Sequence, residues 1–392
     1  MFDLIVLSRV FVDYFWEIKS LSVLHSFMGV CFAFFIAVHF KLQGYVSSIA
    51  DKVIFIFYLC VIGALFKSIN EDTLILFSKF STYILFYFIG RVYPFHAGSN
   101  GFISRFSIGG LLIFSLLGGA GLGYSYWGNV RTFTGGYFFK ADLAISVLVL
   151  LSFSFIYFKD KRVLFCMLAL AAYLIFSSNA RIAIPLLLII PIFIILGKSG
   201  KLNELNFKAV FLSVASMLIG ILAFTLIDFS SLGMLGFDFQ DPFSEANTQG
   251  RSAIWLALLQ AYSEASLVEQ LFGMGLDGDV WATSMFSESK LLEGKHAHNS
   301  YLYLLICTGL VGMLTFLCFL IILLRQILCV IREGGVVEKE VALLSGVFFI
   351  MFIWLSLTIE VVIRPQLMVL FLFFSGLAVQ ASQNYKRQKA LK

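Results

Sequence analysis

The sequence predicts an all-α polytopic membrane protein, and three observations carry that prediction. The chain is 60% hydrophobic and only 13% charged, whereas a soluble domain carries about a quarter charged residues. Its mean hydropathy is +0.94. Apolar runs close to the roughly 20 residues that a bilayer-crossing helix needs recur from end to end. Phe, with 45 residues, reads as lipid-facing bulk.

In chain order, spans are expected near 2–17, 21–40, 52–69, 73–90, 107–125, 142–158 and 162–178, then near 181–197, 207–227, 300–325, 341–360 and 364–381. That makes about twelve helices. The first is short, and Arg9 and Asp13 interrupt its apolar run, where they can pair with each other. No small-residue cleavage site follows, so it does not read as a signal peptide. The chain then divides into a transmembrane bundle over 1–227, a long loop over 228–299, and further spans with a basic tail over 300–392.

Lys and Arg in short loops set the orientation. Arg91, Lys159, Lys161, Arg162, Lys198, Lys201, Arg332 and the tail NYKRQKALK all fall on one side, which is expected to be cytoplasmic and to hold both termini. The other side receives Arg131, Lys140, Arg181 and the long loop. That loop has ten acids against three bases, a balance of −7 with histidine neutral. A connection of this length is usually functional. The six cysteines lie in or beside apolar segments and form no CxxC pair, so neither a disulfide framework nor a zinc site is expected.

Few residues in so apolar a chain can carry chemistry. In NTQGRSAIWLALLQAYSEAS, 247–266, Ile254, Trp255, Leu258, Leu259 and Tyr262 repeat at helical spacing, as in a helix lying in the membrane interface. Thr248 or Ser252 is the expected cap. Arg251 then stands at the helix N-terminus, either as an anion contact suited to phosphate or as a snorkelling side chain. Arg181, in SSNARIAIP, is held in a tight turn between two apolar runs, where a functional charge and a topology signal are both open. Glu360 and Arg364 have the i, i+4 spacing of a helical ion pair, with Pro365 breaking the helix there. Lys79, inside an apolar span, is expected to snorkel or pair.

The stretch GKHAHNSYLYLLICTGLVGM, 294–313, holds two of only five histidines. A helix should begin near Asn299 or Ser300, with Gly309 and Gly312 suited to close helix contact. His298 would then sit at the helix N-terminus, where the dipole disfavours protonation, as a general base requires. A polar helix cap is the plainer reading. His296 would not share a helical face with it and is a supporting neighbour, and no third residue has the spacing of a metal ligand.

These residues carry a resemblance. HNSYLYLLICTGLVG, 298–312, resembles the His-Asn, nine residues, Gly-x-x-Gly pattern of the O-antigen ligase and O-antigen polymerase superfamily. GRSAIW, 250–255, resembles the Gly-Arg-x-x-x-Trp element that precedes it there, and SSNARIAI, 177–184, the earlier arginine turn. The resemblance spans about 177–375; before that only the topology matches.

It implies a fold similar to GT-C-like glycosyltransferases, with interfacial helices on a periplasmic loop. It also implies transfer of a glycan from undecaprenyl pyrophosphate at the periplasmic face of the bacterial inner membrane, without metal or other cofactor. Carried over, His298 is the catalytic base with Asn299 and His296 supporting it, and Arg251, Arg181 and Arg364 are the diphosphate contacts. Family ligases can have another loop arginine upstream of Gly-Arg. None lies between 228 and 250 here, so its role is absent or met elsewhere, with Arg364 a candidate.

The acceptor separates the two family activities. A ligase receives lipid A–core, which is strongly phosphorylated, and a loop at −7 disfavours a polyanion. The expected activity is therefore a polymerase that joins two lipid-linked repeat units, with a ligase as the alternative. Membrane lipids and a chain-length regulator are the other expected partners, and nucleic acid is not one. A transporter of lipid-linked glycans with no chemistry is the non-enzymatic alternative, but it would not call for a His-Asn element beside an outer loop.

Overall fold

The computed structural model describes residues 38, 46–93, 100–127, 130–204, 251–287 and 293–390. The spans expected near 2–17, 21–40 and 207–227, Val38 excepted, lie outside the described residues, as do Arg9, Asp13, Thr248, Gly250 and the loop over 228–250.

The remaining spans appear as helices, with the one expected at 107–125 shifted to 100–119, that at 341–360 shifted to 336–355, and those from 300 and 364 extended to 333 and 390. Helix α1 covers Ile49–Leu65 and α2 Glu71–Val92, each opened by a reciprocal cap, from Ser48 with Asp51 and from Asn70 with Thr73. Helix α3 covers Asn100–Gly119, α4 Lys140–Tyr157 and α5 Lys161–Ser178. Asn179, in the left-handed region at φ 52°, ends α5, and a 3-10 turn over Arg181–Ala183 leads into α6, Leu186–Lys198. After the loop helices come α10, Ser300–Glu333, α11, Val336–Leu355, and α12, Pro365–Ala390. Among the described residues six helical runs are long and apolar enough to cross a membrane. The chain is a multi-pass, all-α membrane protein.

One element departs from an all-α expectation. The connection after α3 folds into an antiparallel hairpin, β1 over Tyr124–Trp127 and β2 over Val130–Phe133, pairing Tyr124 with Phe133 and Tyr126 with Arg131. Aromatic and β-branched residues favour a strand here. The Arg131 guanidinium lies 4.2 Å from the centre of the Tyr124 ring, a diagonal cross-strand contact.

Phenylalanine, expected as lipid-facing bulk, also builds the core. Phe57 of α1, Phe316 of α10, Phe352 of α11 and Phe371 of α12 form a chain of ring contacts with centroids 4.9, 5.5 and 4.8 Å apart. Lipid is as apolar as a side chain, so helices associate in a membrane by close packing rather than by burial from water. Helices α2 and α12 show this most directly. A Cβ on Gly90 would stand 2.0 Å from the Phe373 carbonyl oxygen, and one on Gly376 2.1 Å from that of Tyr87.

The hydrogen bonds sort the turns onto two ends. At the far end Arg91 Nε donates to Asp51 Oδ1 at 2.8 Å and Arg91 Nη2 to Gln383 at 2.7 Å, while Lys198 caps the carbonyls of Phe155 and Ile156. At the near end Lys67 Nζ donates to the Gly273 carbonyl, Trp354 Nε1 to that of Ile182, and Arg364 pairs with Asp142. Turns 66–70, 134–139, 179–185 and 356–364 therefore gather beside the loop helices.

Candidate active site

Three helices lie in the described part of the loop: α7, Arg251–Glu264, α8, Leu267–Phe272, and α9, Gly278–Phe286. Ser252 is the second residue of α7, so it does not cap it. The face that α7 buries is Ile254, Ala257, Leu258 and Ala261. Trp255 and Tyr262 border it, and Leu259 points outward, so the buried stripe is rotated from the expected one.

The connection 295–299 is tied from several sides. Trp255 Nε1 of α7 donates to the Ala297 carbonyl at 2.9 Å. From α9, the fully buried Asp279 accepts from the Ala297 N–H at 3.0 Å and sits 3.1 Å from His296 Nδ1, and Thr283 donates to the Lys295 carbonyl. Asn299 caps α10 as expected, accepting from the N–H groups of Tyr301 and Leu302, and its amide donates to the Leu357 carbonyl. The Ser300 N–H donates to the Ser356 carbonyl at 2.9 Å. His296 is thus committed to Asp279. That hydrogen bond raises its pKa above the ordinary value; burial works against it and the Asp279 charge adds to it.

His298 sits in the left-handed region at φ 48°, which costs a residue with a Cβ roughly 1–2 kcal/mol. The backbone turn brings both its N–H and its ring Nδ1 to one oxygen, Oε1 of Glu360, with the ring contact at 3.0 Å. Glu360 is only 2% exposed. Burial alone would raise its pKa, but the hydrogen bonding of His298, the charge its ring carries when protonated and the charge of Arg364 outweigh burial and lower it to about 2. An ionised carboxylate only accepts hydrogen bonds. Nδ1 therefore carries a proton, and Nε2 is the nitrogen left to accept one, the arrangement of an oriented general base.

Glu360 and Arg364 do not form the expected helical pair. Glu360 precedes a 3-10 turn over Val361–Ile363, and Arg364 follows it. Arg364 Nη1 donates to Asp142 Oδ1 at 2.6 Å, and its guanidinium carbon lies 4.8 Å from the centre of the Phe139 ring. Burial pulls the Arg364 pKa down, and the charges of Asp142 and Glu360 more than restore it.

Arg251, the first residue of α7, lies within electrostatic reach of Glu360 and Arg364 and makes no hydrogen bond or ion pair among the described residues. Burial lowers its pKa, yet a guanidinium stays charged. Arg251 and Trp255 are four residues apart in α7, so one face carries both this cation and the clasp on the His298 loop. Arg181 and Lys140 complete the cationic group, because Lys140 feels the charges of both Arg251 and Arg181. Among the described residues no group of three or more His, Cys, Asp or Glu side chains converges as a metal site requires.

The structure thus gathers His298, Asn299, Arg251, Arg181 and Arg364 at one end of the bundle. Sequence reading missed the role of Glu360, whose spacing to Arg364 suggested a different partner. It also missed Asp142 and Asp279, which carry no local motif. An acid buried beside a span is costly unless paired, and that was the available signal.

Residues 163–317 match a family model described as O-antigen ligase, a segment that holds the Arg181 turn, α7 and the His298 connection. No curated protein matches the chain.

Proposed function

Starting from the O-antigen ligase and polymerase superfamily, which that match supports, we propose that this chain is a glycosyltransferase that uses an undecaprenyl-pyrophosphate-linked glycan as donor. The observation that carries the reading is the buried Glu360 carboxylate holding His298 Nδ1, with Arg251 within electrostatic reach of that carboxylate and Arg181 grouped with Arg251 around Lys140. In the proposed reaction an acceptor sugar hydroxyl gives its proton to His298 Nε2 as its oxygen bonds to the donor's anomeric carbon. The bond from that carbon to the phosphate oxygen breaks, and the diphosphate leaves on its lipid. One displacement inverts the anomeric centre. The imidazolium formed stands against Glu360, which stabilises it. Arg251 and Arg181 stabilise the leaving diphosphate, whose departure needs charge compensation more than a proton.

The acceptor is proposed to be a second lipid-linked repeat unit, which makes the enzyme a polymerase working at the periplasmic face of the inner membrane. The supporting observation is the acidity of the loop, ten acids against three bases, which repels the phosphorylated lipid A–core that a ligase would use. Arg364, whose charge Asp142 offsets, is proposed to serve chiefly the framework.

The test offers purified protein undecaprenyl-linked repeat units alone or together with lipid A–core. Lengthening of the first supports a polymerase, and modification of lipid A–core alone makes the enzyme a ligase. His298→Ala and Arg251→Ala should abolish transfer in either case while leaving membrane insertion intact. Near-normal product with either variant refutes the site.

A further inference from the structure

Lys140 stands where the charge count of the proposed reaction lacks a residue. It opens α4 in a turn whose other members are engaged, with the Phe139 ring against the Arg364 guanidinium and Asp142 paired with Arg364. Helices α4 and α5 are joined by the short 158–160 turn and run antiparallel, so the end of α5 and the Arg181 turn return beside the start of α4. Lys140 is half-buried there, with Arg251 and Arg181 the charges it feels. It makes no hydrogen bond or ion pair among the described residues. The nearby acids are already committed, Asp142 to Arg364 and Glu360 to His298. A half-buried ammonium within electrostatic reach of two guanidiniums is unfavourable alone and becomes favourable when an anion enters.

The chemistry says which anion. A glycosyl lipid diphosphate carries one ionised oxygen on each phosphoryl group. When the bond to the anomeric carbon breaks, the terminal phosphoryl group gains a further negative charge. Arg251 and Arg181 match the bound donor, and the added charge calls for a third cation. Arg364 is the alternative, but the Asp142 carboxylate paired with it at 2.6 Å already offsets its charge. Resting on the reading of the site given above, we propose that Lys140 is a diphosphate-binding residue that meets the terminal phosphoryl group of the polyprenyl diphosphate as it leaves. It occupies the role of the loop arginine missing from 228–250.

The experiment compares full-length wild type, Lys140→Gln, Lys140→Arg and Arg251→Ala in detergent. Each is measured for affinity toward undecaprenyl diphosphate, undecaprenyl monophosphate and inorganic pyrophosphate. Lys140→Gln should weaken the diphosphate lipid about tenfold, the scale of one charge-assisted hydrogen bond, and narrow its advantage over the monophosphate. Lys140→Arg should restore most of it. Loss of pyrophosphate binding alongside the lipid assigns recognition to the diphosphate and not to the chain. Should Lys140→Gln not fold, Lys140→Met, which keeps the stem, serves the same comparison. An unchanged preference for diphosphate over monophosphate, or an equal loss for both lipids, overturns the role of Lys140. If Arg251→Ala also binds both lipids like wild type, the reading of the site has failed. If Arg251→Ala loses binding while Lys140→Gln does not, only the assignment of Lys140 has failed.

Discussion

Glu360 Oε1 accepts a hydrogen bond from the backbone N–H of His298 and stands 3.0 Å from Nδ1 of the same residue's ring. One buried carboxylate thus fixes both the left-handed backbone of His298 and the tautomer of its ring. Replacing Glu360 with Gln keeps the volume but removes the charge that steadies an imidazolium. It also offers the ring an amide that can turn either its oxygen or its nitrogen toward Nδ1. Turnover should fall about a thousandfold or more, as when a triad acid becomes its amide. Affinity for undecaprenyl diphosphate should stay within about threefold, under 0.7 kcal/mol. Because the two residues act as a unit, Glu360→Gln on top of His298→Ala should add little. Additive losses in that cycle would show that Glu360 acts elsewhere.

Trp255 reaches the same loop from α7 through Nε1 and the Ala297 carbonyl. Phe at this position keeps the ring and loses the donor, leaving the carbonyl unsatisfied at a cost of about 1 kcal/mol. The larger effect should be on rate, because His298 is one residue away and small displacements of a positioned base cost about ten- to a hundredfold. A lowered kcat with an unchanged donor affinity is the expected pattern in steady-state kinetics. A raised KM with full kcat would instead make Trp255 part of the donor site.

His296 gives the loop a pH dependence. Its hydrogen bond to Asp279 raises its folded-state pKa, so the stability it contributes is complete below the unfolded value of about 6.5 and is lost as pH rises through the raised value. Thermal unfolding in detergent should therefore show the wild type losing stability, relative to His296→Gln, as pH rises above the unfolded value of about 6.5. A variant and wild type that fall in parallel would leave the pair without this role.

The parts of the site that were legible in the sequence are those set by local rules. Asn299 caps a helix because its side chain reaches two N–H groups one turn on, and the Arg181 turn sits where two apolar runs meet without a loop. What stayed hidden depends on distant contacts. Glu360 lies 62 residues from His298, and Asp142 lies 222 residues from Arg364. Nothing in either neighbourhood announces its partner, and the i, i+4 spacing of Glu360 and Arg364 pointed to a pair that the 3-10 turn between them does not form. The hairpin after α3 was missed because a strongly apolar chain turns attention to helix-length runs and away from a four-residue alternation.

Gly309 shows how a readable motif can carry an unexpected meaning. Its spacing to Gly312 suggested a helix contact, but at φ 71° and ψ −178° it interrupts α10. The break admits another backbone. A Cβ on Gly309 would lie 2.4 Å from the Leu271 carbonyl oxygen, and one on Gly273, itself at φ 84°, would lie 2.2 Å from that of Cys307. The Met274 N–H donates to the Ile306 carbonyl at 2.8 Å across this contact. Two glycines therefore let the α8–α9 connection lie against the half-helix that begins at Asn299, one face of the support behind His298. Gly309→Ala meets both a disallowed backbone and a clash with main chain that cannot turn aside, so it should cost more than about 2 kcal/mol. Gly109→Ala on α3, where a Cβ meets nothing within 4 Å, should be neutral or stabilising by up to about 1 kcal/mol. Melting midpoints in detergent separate the two. A Gly309→Ala protein as stable as the Gly109→Ala control would mean that α10 can run straight through this position, and that the support under His298 does not depend on the break.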